Sequence, residues 1–175
     1  MAVFETTEDA LLNGRIRIRQ PASGYRVNVD TLLLAAAHPQ EVIRCDDRRV
    51  VEIGCGVGAA LIAIAARYER PGEIEFVGIE RDAKLAALAR ENLILNGQGH
   101  RARIIEADAL DQAADFGVFD YVLFNPPYDM EGEGRPPSEG KRSAYIADRP
   151  IGDWIKVWSN RMRAHSAMTL IHRAH

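Results

Sequence analysis

From residue 50 onward, short apolar runs alternate with segments of helical period, a pattern that dictates repeated β-α units and a parallel sheet. Val50-Val51-Glu52-Ile53 reads as a first strand. A helix with its apolar stripe on Leu61, Ile64, Ala65 and Tyr68 follows, ended by Pro71-Gly72. Ile74 to Ile79 makes a second strand, and Asp82 caps a helix with Leu85, Leu88 and Leu95 on one face, stopped by Asn96-Gly97. Arg103 to Glu106 and Phe119 to Phe124 are the third and fourth strands, and Pro126-Pro127 forbids extension of the latter. Residues 129–143, rich in Gly, Pro and charge, are expected as an exposed, mobile loop. Ile151, Trp154, Ile155, Trp158 and Met162 mark an amphipathic helix with its tryptophans in the core. Ala167 to Ile171 supplies a fifth strand.

Before residue 50 the pattern changes. Gly14 to Gln20 alternates with period two, as a half-exposed hairpin strand does, with Arg15, Arg17 and Arg19 on one face. Asp30 is placed to cap a short helix over residues 31–37, with Pro39 as its stop. With 175 residues there is material for one core, so the chain reads as a single domain: a hairpin and helix over 1–49 covering the site, and a core over 50–175. Two cysteines, Cys45 and Cys55, make no disulfide framework, no Cys/His cluster has zinc spacing, and the acidic N-terminus is no signal or membrane span; a reducing cytoplasm fits best. The net charge of −3 hides an uneven distribution. Residues 31–130 carry ten basic against sixteen acidic groups, while the flanks, chiefly Arg15, Arg17, Arg19, Lys141 and Arg142, are basic and suit phosphate contacts.

Glu52-Ile53-Gly54-Cys55-Gly56-Val57-Gly58 closes a strand and opens a helix, placing glycines where the backbone turns sharply toward a ligand. Gly54, Gly56 and Ala59 also satisfy the dinucleotide fingerprint, which leaves a nicotinamide dehydrogenase open. Glu80, ending the second strand, suits ribose hydroxyls in either cofactor. The third strand ends in Glu106-Ala107-Asp108-Ala109, where Asp108 is either a ligand contact or a plain helix cap. The fourth ends in Asn125-Pro126-Pro127-Tyr128, which has no role in hydride chemistry. These groups fall at the ends of four consecutive strands, which in a doubly wound sheet open onto one crevice.

Together these residues resemble the class I S-adenosylmethionine-dependent methyltransferases, over roughly residues 50 to 172. The resemblance implies a three-layer, Rossmann-like α/β fold with a mostly parallel sheet. It further implies S-adenosylmethionine as cofactor, held by Glu52, Gly54, Cys55, Gly56, Gly58, Glu80, Asp108, Ala109 and Asn125, and no metal. The amine on a planar base is a poor nucleophile because its lone pair is delocalised. Acceptors from the Asn125 side chain and the Pro126 carbonyl, held rigid by Pro126 and Pro127, favour the form that attacks, and Tyr128 offers a stacking face. The segment from Gln20 to Ala35 is similar to bacterial adenine-N6 methyltransferases of valine tRNA, which makes tRNA the expected partner and Asp30 a contact in a turn over the cofactor. Protein glutamine, rRNA guanine and DNA adenine are rival substrates, and a non-catalytic cofactor-binding module is a rival of another class. Since that fold continues past its fifth strand, the chain is expected to be a truncated form with an intact cofactor pocket and the fifth strand at an open sheet edge.

Overall fold

The computed structural model describes residues 4–24, 26–38, 48–68, 74–126, 129–130, 146–147 and 150–172. Strands β1 (Thr6–Leu11) and β2 (Ile16–Pro21) form an antiparallel hairpin. Helix α1 (Val29–Ala37) leads toward the main sheet, built from β3 (Arg48–Ile53), β4 (Ile74–Glu80), β5 (Ala102–Glu106), β6 (Phe119–Phe124) and β9 (Met162–Leu170). Its order is β5-β4-β3-β6-β9, with every neighbouring pair parallel. Helices α2 (Ala59–Ala65) and α3 (Ala83–Leu95) link the early strands, and α4 (Ile151–Ser159) precedes β9. This is the parallel sheet that the alternation predicts, in the three-layer Rossmann-like α/β arrangement that the resemblance implies.

The two faces of the sheet bury different material. Val50, Phe76, Tyr121 and Leu123 face α1, α2, α3 and β2, whereas Val51, Ile53, Val77, Ile79, Val122 and Phe124 face α4 and the irregular chain around Ala109 and Phe116. The period of two along each strand sorts these sets, and strands buried on both faces read as continuous apolar runs. Trp158 fills the second layer: fully buried, it stacks on Phe116 and donates its indole N–H to the Ala109 carbonyl at 3.1 Å.

Several expectations need correcting. Helix α1 is capped by Asn28, whose side chain accepts from the Thr31 N–H, and Asp30 lies in the first turn. Asn and Asp cap equally well, so composition could not choose between residues two apart. Helix α2 has no single apolar stripe; all seven residues are buried, because α1 and β2 cover the side that a two-layer packing would leave wet. Met162 opens β9 rather than belonging to the helix, and β9 reaches back from the expected Ala167 through an irregularity opposite β6 where His165 adopts φ 64°. Asp129–Met130 (β7), at the start of the expected 129–143 loop, pairs in parallel with Ile146–Ala147 (β8); the rest of that stretch, with Lys141 and Arg142, lies outside the described residues. The fifth core strand, β9, occupies the sheet edge beside β6, where it was expected.

Candidate functional site

Because the sheet is parallel, four strand ends meet along one edge. The register sets Ile53 level with Ile79 and with Phe124, and Glu80 level with Glu106. The glycine-rich turn, Glu80, the chain around Asp108 and Asn125 therefore leave neighbouring strands at a common height.

The turn from β3 into α2 is shaped by backbone conformation. Gly54, Gly56 and Gly58 have φ of 63°, 54° and 79°, a region that side-chain-bearing residues enter reluctantly. A Cβ added at Gly54 or Gly56 would meet nothing within 4 Å, so these glycines answer to dihedral angle and to open space beyond, not to crowding within the protein. Crowding decides Gly78 instead, where a Cβ would sit 2.7 Å from Ile104 Cδ1 and 2.8 Å from Cys55 Sγ. Cys55 thus turns its side chain into the core, and burial pushes its thiol pKa up, which makes it a packing residue rather than a reactive one.

Two acids hold that turn in place. Glu80, 8% exposed, accepts from the Gly56 N–H at 2.8 Å through one oxygen and from the Asp82 N–H at 2.9 Å through the other. Glu52 is buried beneath the turn and accepts from the Leu61 N–H at 2.8 Å, the first-turn donor that Gly58, as a cap without a side chain, leaves open. Burial, with Glu80 adding repulsion, raises the Glu52 carboxyl from its ordinary 4.5 to about 8. Asp108 is exposed and closes a turn by accepting from the Leu110 N–H at 2.8 Å; no helix follows it, so it is not a helix cap. Ala109 beside it is buried under Trp158.

On the other side of the edge, β6 is buried along its whole length and delivers a half-buried Asn125 followed by a buried Pro126. Phe124 is stacked on Trp154, with ring centroids 6.3 Å apart and planes inclined by 20°. Pro127 and Tyr128 lie outside the described residues.

With this geometry in view, residues 23–171 match the family model described as the methyltransferase small domain. The chain belongs to that family. A tRNA1(Val) (adenine(37)-N6)-methyltransferase from Actinobacillus succinogenes is 26% identical over 83% of this chain and 60% of its own length. An rRNA N(6)-adenosine-methyltransferase of Caenorhabditis elegans is 27% identical over 65% of this chain and 51% of its own. The chain thus spans little more than half the length of these curated relatives. Among solved structures, a SAM-dependent methyltransferase from Agrobacterium tumefaciens aligns with all of the chain and 55% of its own, with a TM-score of 0.63 at 17% identity, a likeness of fold. Membership in the methyltransferase small domain family removes the nicotinamide reading that Gly54, Gly56 and Ala59 had left open.

Other expectations for this methyltransferase small domain fare unevenly. Of the three arginines expected on one strand face, Arg17 and Arg19 lie on β2 and are part-neutralised, Arg17 by Glu8 at 3.3 Å and Arg19 by Glu8 at 3.2 Å and Glu91 at 3.6 Å, whereas Arg15 is exposed in the turn before β2. Among the described residues no group of three or more His, Cys, Asp or Glu gathers as for a metal, and no helix is long and apolar enough to cross a membrane. One residue at the site escaped the sequence altogether. Asn92, on α3, is completely buried and reaches the glycine-rich turn; its signal was a polar amide set between the core positions Ala89 and Leu93.

Proposed function

We propose that this chain binds S-adenosylmethionine at the carboxyl edge of its sheet and methylates an exocyclic amine on a planar base, with adenine N6 of tRNA near the anticodon as the substrate. The observation that carries the reading is the β3–β6 register: with Ile53 level with Phe124, the glycine-rich turn and Asn125-Pro126 emerge side by side. The names of the two relatives share adenine N6 in RNA, which supports the same chemistry.

The residues present fit that cofactor. Open space beyond Gly54 and Gly56 admits a ligand against the backbone. Glu80 has committed about two of a carboxylate's roughly four lone-pair directions to backbone N–H groups, which leaves capacity for ribose hydroxyls. Asp108, exposed on the next strand end, is suited to an adenine amino group, with Ala109 behind it. The N-terminal segment, residues 1–49, would cover this site, with Asp30 in the first turn of α1, while residues 50–175 carry it.

When bound, the cofactor supplies a methyl group on a positively charged sulfur with a good leaving group. The work left to the protein is alignment and activation of the amine. Asn125 and the Pro126 carbonyl accept from the two amine hydrogens, which favours the pyramidal nitrogen and draws its lone pair out of the ring. Transfer would form a nitrogen–carbon bond in place of the carbon–sulfur bond, with one amine proton released to solvent.

Incubation with methyl-labelled cofactor and separate tRNA, rRNA, DNA and protein fractions tests the reading. Label in N6-methyladenine of tRNA is the expected result. Label in protein glutamine, in rRNA guanine or in DNA adenine would move the substrate. Tight S-adenosylhomocysteine binding with label in no fraction would make the chain a non-catalytic cofactor-binding module.

A further inference from the structure

Helix α3 grips the hairpin with two asparagines one turn apart. Asn92 Oδ1 accepts from the Arg19 N–H at 2.8 Å while its Nδ2 donates to the Arg19 carbonyl at 2.8 Å. Asn96 repeats the pair on Arg17, at 3.0 and 2.7 Å. Each side-chain amide thus reads a strand residue's N–H and C=O as a neighbouring strand would. The two differ in one respect. The second N–H of Asn92 donates to the Val57 carbonyl at 2.9 Å, inside the glycine-rich turn, whereas that of Asn96 returns to the Asn92 carbonyl at 2.8 Å.

Asn92 is 0% exposed, and its amide faces two carbonyls with its nitrogen and one N–H with its oxygen, so only one orientation satisfies the site. Val57 lies between Gly56 and Gly58, both at positive φ. Glycine accepts either sign of φ, so the Val57–Gly58 peptide plane is not held by its own residues and must be fixed from outside. Its N–H donates to the Cys55 carbonyl at 2.8 Å, and its carbonyl is held by Asn92.

We propose that Asn92 is a positioning residue that sets the Val57–Gly58 peptide and, through it, the affinity of the turn for S-adenosylmethionine, with β2 as the anchor that holds Asn92. The inference rests on the proposed cofactor site. Asn96 supplies the matched control, since it makes the same two bonds to β2 and none to the turn.

The experiment compares Asn92→Ala with Asn96→Ala in the full chain. S-adenosylhomocysteine affinity is read by calorimetry, steady-state constants with unmethylated tRNA as acceptor, and hydrogen–deuterium exchange across residues 53–61 without ligand. Asn92→Ala should weaken binding at least tenfold, place the loss on KM for the cofactor rather than on kcat, and speed exchange at Gly56 and Gly58. Asn96→Ala should shift affinity less than threefold and leave that exchange unchanged. Equal shifts in the two variants, or none in Asn92→Ala, would overturn the proposal by reducing Asn92 to a hairpin fastener. Should Asn92→Ala fail to fold, Asn92→Ser, which keeps one hydroxyl donor, is read by the same criteria. A parent chain that binds no S-adenosylhomocysteine would sink the cofactor site, while the exchange contrast would still decide what Asn92 does to the turn.

Discussion

Around the turn from β3 into α2 the chain is held by polar bonds to backbone groups, whereas beside β6 it is held by stacked rings. In the first region Glu80, Glu52 and Asn92 each reach a main-chain atom of the glycine-rich turn or the helix behind it, and three glycines set its path. In the second, Phe124 stacks on Trp154, and Trp158 packs against Phe116 and Phe119. Backbone bonding fixes dihedral angles and leaves a surface of N–H and C=O groups; ring packing fixes volume and leaves a wall. The first should be sensitive to conformation and to charge, the second to side-chain size.

The strongest way to break this contrast is Gly56→Val. A β-branched residue at φ 54° is strained, so the turn should leave its path and S-adenosylhomocysteine binding should fall at least about a hundredfold in calorimetry. Retained affinity would mean that backbone conformation is not what the ligand reads. Next is Asn125→Ala, for which single-turnover methyl transfer should drop on the order of a hundredfold, as for loss of one preorganised hydrogen-bonding group, with cofactor affinity changed by less than about threefold. A parallel loss of affinity would merge the two regions into one.

Trp158→Phe probes the ring-packed side. It removes volume from a fully buried site and strands the Ala109 carbonyl, so urea unfolding should show a loss of about 1–3 kcal/mol, with cofactor affinity unmoved. A further prediction concerns pH. Glu52 titrates at about 8 in the folded chain and near its ordinary 4.5 when unfolded, so between those values the folded state keeps a proton the unfolded state has released. Stability from this group therefore declines as pH rises from about 4.5 to about 8. His38 works in the opposite sense, because burial, aided by Arg67, lowers it to about 4 from 6.5, and its contribution is lost as pH falls through that interval. The informative quantity is the difference between Glu52→Gln and its parent, since glutamine still accepts from the Leu61 N–H: the variant should gain relative stability from pH 5 to pH 8. A pH-independent difference would place Glu52 outside the linkage.

Much of the framework was legible because it rests on local rules. The β6 limits, the Asp82 cap and the Asn96-Gly97 stop follow from apolar runs and capping chemistry, and all appear in the structure. The strand ends carrying the glycines, Glu80 and Asn125 followed from the same alternation. What escaped depends on partners distant in sequence. Asn92 bonds to Arg19, 73 positions away; helical period sets it among the core positions Ala89 and Leu93, but nothing local names the partner it fastens. The burial of α2 on every side required knowing that the hairpin and α1 lie over it. Glu52 and Cys55 belong to the right motif, yet their side chains turn inward, a choice made by the neighbouring Leu61 and Gly78.

The two-asparagine fastening also has a limit built into its geometry. Four helical residues advance about 6.0 Å, two strand residues about 6.6–6.8 Å, so the two repeats are incommensurate and drift apart by more than half an ångström at each step. They work as a vernier that coincides over two divisions and then slips; the next division would oppose Leu88 to Pro21, which has neither a side-chain amide nor a backbone N–H to offer. A helix can therefore pose as a strand only briefly, and here it reads main chain alone. Provided neither opposing residue is proline, the outward side chains at 17 and 19 are free to vary without unfastening the hairpin, so what those positions present to a partner can evolve separately from what holds them in place.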